Sequence, residues 1–321
     1  MLSNSTQIEA SALAFGRKTE IPAHPILTRL TSLAIKALLR ILGRLTFLGK
    51  VDLSMIMSNN TERLLNLPGK LPFFPTPVTA LEKVHDLIAS LHPIACSKEL
   101  IRLGPEGDGG YLIPNDLEGI ETCFSPGVCD VAGFETDCAK RGMTIFMADA
   151  SVAKPPVENP HFRFVRKFIG ADTTGEFISL EDWVRNETGE SQADLLLQMD
   201  IEGYEYETFL STPSAILARF RIMVVEFHDL ERLFSDPVFP IYREVFKKIL
   251  RTHMCVHIHP NNYCCPIRVR NEDFPAMAEF TFLRKDRIEN PSFSSSFPHP
   301  LDKDNTAKKS VVLPQSFYRR H

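Results

Sequence analysis

Apolar positions recur along this chain with two different periods. Within residues 25–50, Leu27, Leu30, Ile35, Leu38, Leu42 and Leu45 repeat at helical spacing. Arg29, Lys36, Arg40, Arg44 and Lys50 interrupt the run, so the predicted helix is cationic and amphipathic. A second amphipathic helix is predicted over Thr79–Leu91. Beyond it, short apolar runs alternate with helical stretches. The strands expected are Ile120–Phe124, Met143–Ala148, Phe162–Ile169, Leu195–Met199, Arg221–Phe227, Cys255–Ile258 and Ala278–Leu283. The helices expected between them are Val131–Arg141, Glu205–Leu210 and Ile241–Thr252. Such alternation predicts an α/β fold with a mostly parallel sheet covered on both faces. No internal repeat is present.

Punctuation divides the chain further. Residues 1–24 lack a pattern and read as flexible. Residues 25–77 form a basic helical extension that ends in the Pro-rich linker Leu67–Pro77. The body spans residues 78–286. The Ser- and Pro-rich tail, 287–321, reads as irregular or disordered, or as a segment folding over a site.

Composition narrows the function classes. The 321 residues carry a net charge of −4, which argues against nucleic acid bound through bulk positive charge. The charge is segregated: residues 1–70 hold nine basic and four acidic residues, a net of +5, which leaves −9 for the rest. The basic helix could pack on its own domain, on a second copy in a homo-oligomer, or peripherally on an anionic membrane surface. No apolar run is long enough to span a bilayer. The seven cysteines are odd in number, contain no CxxC pair and follow no secretory signal. That favours free thiols in a cytoplasmic, reducing compartment, each a small buried hydrophobe.

Ligands of such sheets bind outside the carboxyl ends of the strands, and candidate chemistry collects there. After Ile120–Phe124 come Ser125, Gly127 and Asp130, then a helix with Glu135; the glycine permits close backbone approach. Asp149 ends the next strand, 22 residues after Gly127, near the spacing of a ribose-binding carboxylate. Leu195–Met199 runs into Asp200, Glu202 and Glu205, which suit a cation, a cofactor amine or a proton transfer. Glu205 also suits a plain helix N-terminus. Glu226 and His228 share one strand face, as do His257 and His259. His228 beside carboxylates suits a general base or a metal ligand; as a base it would be oriented by Glu226 or Asp229, with His259 next. His259-Pro260-Asn261-Asn262 suits hydroxyl recognition or a turn. The glycine-dense Arg102–Tyr111 suits either a tight hairpin or a loop closing over a cofactor.

MDIEGYE at Met199–Glu205 resembles the D-x-E-G-x-E hallmark of FkbM-type S-adenosylmethionine-dependent methyltransferases. Ser179–Trp183 resembles that family's segment just before the hallmark strand. SPGVCDVAGFE, FMADAS, VVEFHDL, HIHPNN and EFTFLRKD are similar to a bacterial branch, so the resemblance covers residues 96–286. It implies a class I methyltransferase fold, a Rossmann-like seven-stranded sheet with an antiparallel last strand at Ala278–Leu283. It implies S-adenosylmethionine at the Gly127 loop, with Asp149 near the ribose, Asp172 near the adenine and Asp200 at the methionine end. Members mostly O-methylate hydroxyls of sugars or related products, here a small-molecule or glycolipid acceptor. Mg²⁺ held by Asp200, Glu202 and Glu226 would polarise that acceptor. The chain departs from the family's G-x-N-x-G loop: Gly127-Val128-Cys129-Asp130-Val131 lacks the later glycine. Two other readings stand beside this one. A metal-dependent glycosyltransferase would use Asp200 and Glu202 as a D-x-D pair, and a non-catalytic scaffold would need none of these groups.

Overall fold

The computed structural model describes residues 77–319 except 129, 270 and 271. The segment 1–24 expected to be flexible, the helix expected over 25–50 and most of the expected linker lie outside the described residues, as does Cys129. In chain order the elements are α1 (Leu81–Ser90), β1 (Ile94–Ala95), β2 (Leu100–Leu103), β3 (Tyr111–Pro114), β4 (Thr122–Pro126), α2 (Gly133–Ala139), β5 (Thr144–Ala148), β6 (Phe162–Val165), β7 (Phe168–Gly170), β8 (Phe177–Ser179) and α3 (Leu180–Thr188). They continue with β9 (Leu195–Met199), α4 (Glu205–Ser211), α5 (Ser214–Leu217), β10 (Phe220–Phe227), α6 (Phe239–Thr252), β11 (His253–Pro260), β12 (Ile267–Val269), β13 (Glu272–Phe274), β14 (Ala278–Arg284) and β15 (Ser292–Phe293).

Seven of these strands form one sheet in the order β6-β5-β4-β9-β10-β14-β11. The pairs from β6 through β10 are parallel, whereas β14 runs antiparallel to both β10 and β11. Counting only these seven in chain order gives 3-2-1-4-5-7-6. This is the class I methyltransferase arrangement expected from the sequence, with the last strand inserted antiparallel. The order reverses between β4 and β9, so that gap is the topological switch point.

Alternation along the central strands builds two cores. Met223, Val225 and Phe227 of β10 face the layer made by α1, α3, α4 and α6. Ile222 and Val224 face the other layer, made by α2 and the β2–β3 hairpin. Ser179 caps α3 by accepting the Asp182 N–H, and Gly189 ends it. Phe124 of β4 is fully buried, stacked on Phe146 and edge-on to Trp183 and Phe220.

Two expectations change. Phe162–Ile169 is not one strand. The Lys167 N–H turns back onto the Val165 carbonyl, and Phe168–Gly170 leaves the sheet to pair with Phe177–Ser179. The cysteines are not uniformly buried either. Cys123, Cys138 and Cys255 are, but Cys264 and Cys265 lie exposed in the loop after β11 and Cys96 is half-buried; all six are free thiols. Among the described residues no helix is long and apolar enough to cross a membrane.

Phe124→Ala removes a ring at the junction of four aromatic side chains. It is expected to lower stability by about 3–5 kcal/mol, measured by urea denaturation.

Candidate active site

The loops after β4 and β9 touch at the switch point. The Asp200 N–H donates to the Pro126 carbonyl (3.3 Å). Gly127 has φ +89°, and a Cβ there would lie 1.6 Å from the Asp200 carbonyl oxygen. Only glycine permits this approach. The contact holds Asp200 beside the end of β4.

His228 follows β10, and its Nδ1 lies 3.1 Å from Oε1 of Glu205 in the first turn of α4. The same oxygen accepts the N–H groups of Ile201 and Gly203 (3.1 and 3.2 Å). Glu205 is fully buried, so one carboxylate ties the loop after β9 to the imidazole ring. Nε2 then faces Asp200 (3.8 Å), Glu226 (3.7 Å) and the exposed Glu202 (3.4 Å). Asp200, Glu226 and His228 each offer a ligand atom within 4.8 Å of the others. The expected orienting groups were Glu226 or Asp229, and neither holds Nδ1. Asp229 takes a left-handed φ of +53° and pairs at the surface with Arg232.

Burial and like charge set the protonation here. Asp200 is pushed up to about 7, mainly by burial, with Glu202, Glu205 and Asp108 adding repulsion. Its Oδ1 is buried without a hydrogen-bond partner. Glu226 is raised well above the usual carboxylate range by burial and by Asp200 and Glu279; its Oε2 accepts from Asn261 (3.0 Å). For His228, burial works toward the neutral form. The Glu205 hydrogen bond and the charges of Glu205, Asp200 and Glu202 outweigh it and raise the ring to about 9.

The acidic row continues across the sheet. Glu226 lies opposite Glu279 on β14, and Glu279 lies opposite His259 on β11. Glu279 accepts from Asn305 of the C-terminal tail (2.8 Å), and Asp302 of the tail accepts from His257 Nε2 (2.8 Å). The tail therefore folds over the strand ends. The β2–β3 hairpin covers the same face, where Thr281 of β14 bonds the Leu112 carbonyl. Its Gly104 N–H bonds Asp137 of α2 (2.9 Å), so the glycine-dense segment is a hairpin seated on that helix.

A family model described as the methyltransferase FkbM domain matches residues 148–254. Over those residues, a third of the chain, the sequence is similar to the FkbM methyltransferase domain. The matched stretch contains Asp149, Asp172, Asp200, Glu202, Glu205, Glu226 and His228. No curated protein matches the sequence. Among solved structures, a chain of the fibrillarin/Nop5p complex is 13% identical with a TM-score of 0.32, covering 52% of this chain and 74% of that one. The Burkholderia thailandensis 1,6-didemethyltoxoflavin-N1-methyltransferase, solved with 1,6-didemethyltoxoflavin and S-adenosylhomocysteine, is 12% identical with a TM-score of 0.28. That match covers 52% of this chain and 72% of the other.

Within the matched stretch and its flanks, the cofactor candidates separate. Asp149 sits at the end of β5, where Oδ2 accepts the Val128 N–H (3.0 Å) and Oδ1 accepts from Ser151 (2.6 Å). It holds the Gly127 loop in place. Ser125 and Glu135 are buried beneath that loop. The Ser125 hydroxyl has one proton but two neighbouring oxygens, Glu135 Oε1 (2.6 Å) and Gln198 Oε1 (2.7 Å). Burial raises the Glu135 carboxyl, and the Ser125 hydrogen bond works the other way. Gln198 also donates to the Tyr111 hydroxyl (3.2 Å). Asp130 is exposed. Asp172 does not follow a strand of the main sheet. It is exposed beyond β7, in a cavity lined also by Thr173, Asp182, Ser211 and Thr212, with none of the other candidates.

Glu279, Tyr111 and Asp302 escaped the sequence reading as site residues, and Glu205, read there among the carboxylates after the Leu195–Met199 strand, was not expected to orient His228. Glu279 and Gln198 carried a signal, since each is a polar residue inside an apolar strand. Asp302 carried none.

Glu205→Gln removes the charge that holds the His228 proton. The ring should titrate well below 9, toward its ordinary 6.5, by NMR. Because the folded value is raised, the stability this pair contributes is full below pH 6.5 and lost as pH rises through about 9. Asp200 behaves oppositely to a paired carboxylate: its proton is held to about 7 against 3.8, so its ionisation destabilises the fold as pH rises between those values. Asp200→Asn should therefore raise Tm relative to wild type at pH 8, by calorimetry.

Proposed function

We propose that the chain is an S-adenosylmethionine-dependent methyltransferase that O-methylates a hydroxyl of a sugar, a glycolipid or a related metabolite. The observation that carries this reading is His228, fixed through Nδ1 by a buried carboxylate and presenting Nε2 to an acidic group at the switch point. A hydroxyl is a weak nucleophile and needs a base aligned with it.

The residues fit the cofactor's charge. Asp200 has a buried, unpartnered oxygen among carboxylates that lack a full cationic counterpart, which suits a ligand bearing an ammonium and a sulfonium. Bound here, S-adenosylmethionine supplies an electrophilic methyl group. Asp200 would hold the amino group, Asp149 the ribose hydroxyls, and the Gly127 loop the backbone approach. His228 Nε2 takes the acceptor's hydroxyl proton, and Glu205 stabilises the resulting imidazolium. In the free protein the surrounding carboxylates keep His228 protonated up to about pH 9. Positive charge brought beside Asp200 lowers that value and frees the base at neutral pH.

A second reading of the same group has its own observation. The ligand atoms of Asp200, Glu226 and His228 converge closely enough for a divalent cation such as Mg²⁺. Bound there, Mg²⁺ would polarise the acceptor oxygen, and His228 would be a ligand rather than the base. Chelation separates the two: turnover that survives EDTA assigns His228 as base, and turnover lost to EDTA and restored by Mg²⁺ assigns it as ligand.

S-adenosylhomocysteine titrated by calorimetry should bind with micromolar affinity. Asp149→Ala should abolish binding, and Asp200→Asn should weaken it about 10–100-fold, the loss of one charged hydrogen bond. His228→Gln should keep the binding and lose about 10²–10⁴-fold in kcat. Binding of a UDP-sugar with Mn²⁺, without binding of S-adenosylhomocysteine, would replace the proposal with a glycosyltransferase.

A further inference from the structure

Between the end of β11 and the C-terminal tail lies a cavity of about 170 Å³. Its walls are mostly apolar, with Ile258, Phe297, Pro298 and Leu313 among them. Its polar groups are not equivalent. Ser310 donates to Asp304 (2.6 Å). Asp302 accepts from His257 Nε2 (2.8 Å) through one oxygen and from the His299 N–H (2.7 Å) through the other. His259 is different: its side chain is only 9% exposed, yet neither ring nitrogen has a hydrogen-bond partner. Its Nδ1 lies 3.6 Å from Asp302 Oδ1, too far for a hydrogen bond. A buried, unsatisfied imidazole lining a cavity of this size indicates a missing partner.

The wall that completes the cavity is fastened. Asn262 donates to the carbonyls of Thr306 and Lys308 (3.0 Å each) and accepts the Thr306 N–H (2.8 Å). Asn305 bonds Glu279 on β14. The tail is thus latched to the strand ends on the side that faces the methyl-transfer group. His259 lies two strands from Glu226 in register, through Glu279. At one strand spacing each, that is about 10 Å, the span of an acceptor with one ring at His259 and a hydroxyl at His228.

We propose that this cavity is the acceptor-recognition site, taking one compact ring whose hydroxyl hydrogen-bonds His259 while the tail supplies the apolar wall. It rests on the methyltransferase reading only for the word acceptor. The volume matches a single six-membered ring, since a dry cavity of about 150 Å³ holds benzene. The shared chemistry is a ring hydroxyl beside an apolar ring face, which a phenol and a pyranoside both present.

The test is saturation-transfer NMR on the full chain with phenol and, separately, methyl α-glucopyranoside. At least one probe should bind. Two variants should each weaken it at least tenfold: His259→Phe, which keeps the ring and removes its nitrogens, and Val312→Trp at the exposed rim. Binding of phenol alone assigns an aryl acceptor, and binding of the glucoside alone a sugar. Failure of both probes, or binding indifferent to both variants, overturns the proposal. S-adenosylhomocysteine titrated into the same samples should bind all three proteins alike. If it fails in wild type while the ring probe binds, the methyltransferase reading falls and the cavity's role in ring binding stands.

Discussion

The Asp200 carbonyl oxygen occupies the space where a side chain at position 127 would be, and the site depends on that contact. It brings the end of β4 against the end of β9 where the strand order reverses, so the two loops become one rim. From there Asp200 meets His228 of β10 and Glu226 beside it. The missing later glycine of this loop does not open the contact. The next tight backbone approach falls at Gly133, which packs on Pro105 of the hairpin. The close packing that a glycine-rich loop provides is here shared between the loop and the hairpin.

A second constraint is electrostatic. Asp200, Glu226 and Glu279 stand along adjacent strand ends, all raised above their ordinary values by burial first; Asp200 and Glu279 add repulsion at Glu226, and Glu202, Glu205 and Asp108 add it at Asp200. A fold optimised only for stability would not gather them. Asp200 and Glu226 have the His228 ring beside them, which is itself committed to Glu205, while Glu279 is offset by His259 and Arg102. The arrangement is therefore poised for positive charge from outside the chain. Glu205 illustrates how one residue serves two ends. It satisfies the loop N–H groups before α4, as a helix-start carboxylate does, and the same oxygen orients the imidazole.

The far end of the acidic row is built by residues distant in sequence. His257 and His259 come from β11, Asp302 and Asn305 from the tail, and Glu279 from the antiparallel strand between β10 and β11. An irregular tail gains a fixed course because Asn262 and Glu279 give its backbone and side chains partners. Both nitrogens of His259 and the Oδ1 of Asn305 are the buried atoms that this network leaves without hydrogen-bond partners.

Much of this was legible in the residues. The strand–helix alternation determines the sheet, because a doubly covered parallel strand must be apolar on both faces, as LLLQM of β9 is. Asp200, Glu226 and His228 were readable as rim residues because period-two alternation and the strand ends place them there. Asp172 lies beyond β7 rather than at the end of a main-sheet strand because a turn at Lys167, invisible in the apolar pattern, ends β6 early. What only the tertiary structure decided are the pairings across long sequence separations. Glu205 rather than Asp229 holds His228, and the tail rather than a loop walls the cavity at His259. Local propensity sets which segments become strands and helices. Which side chains then share a few ångströms is set by how the sheet brings their ends together, and that is a property of the packed chain.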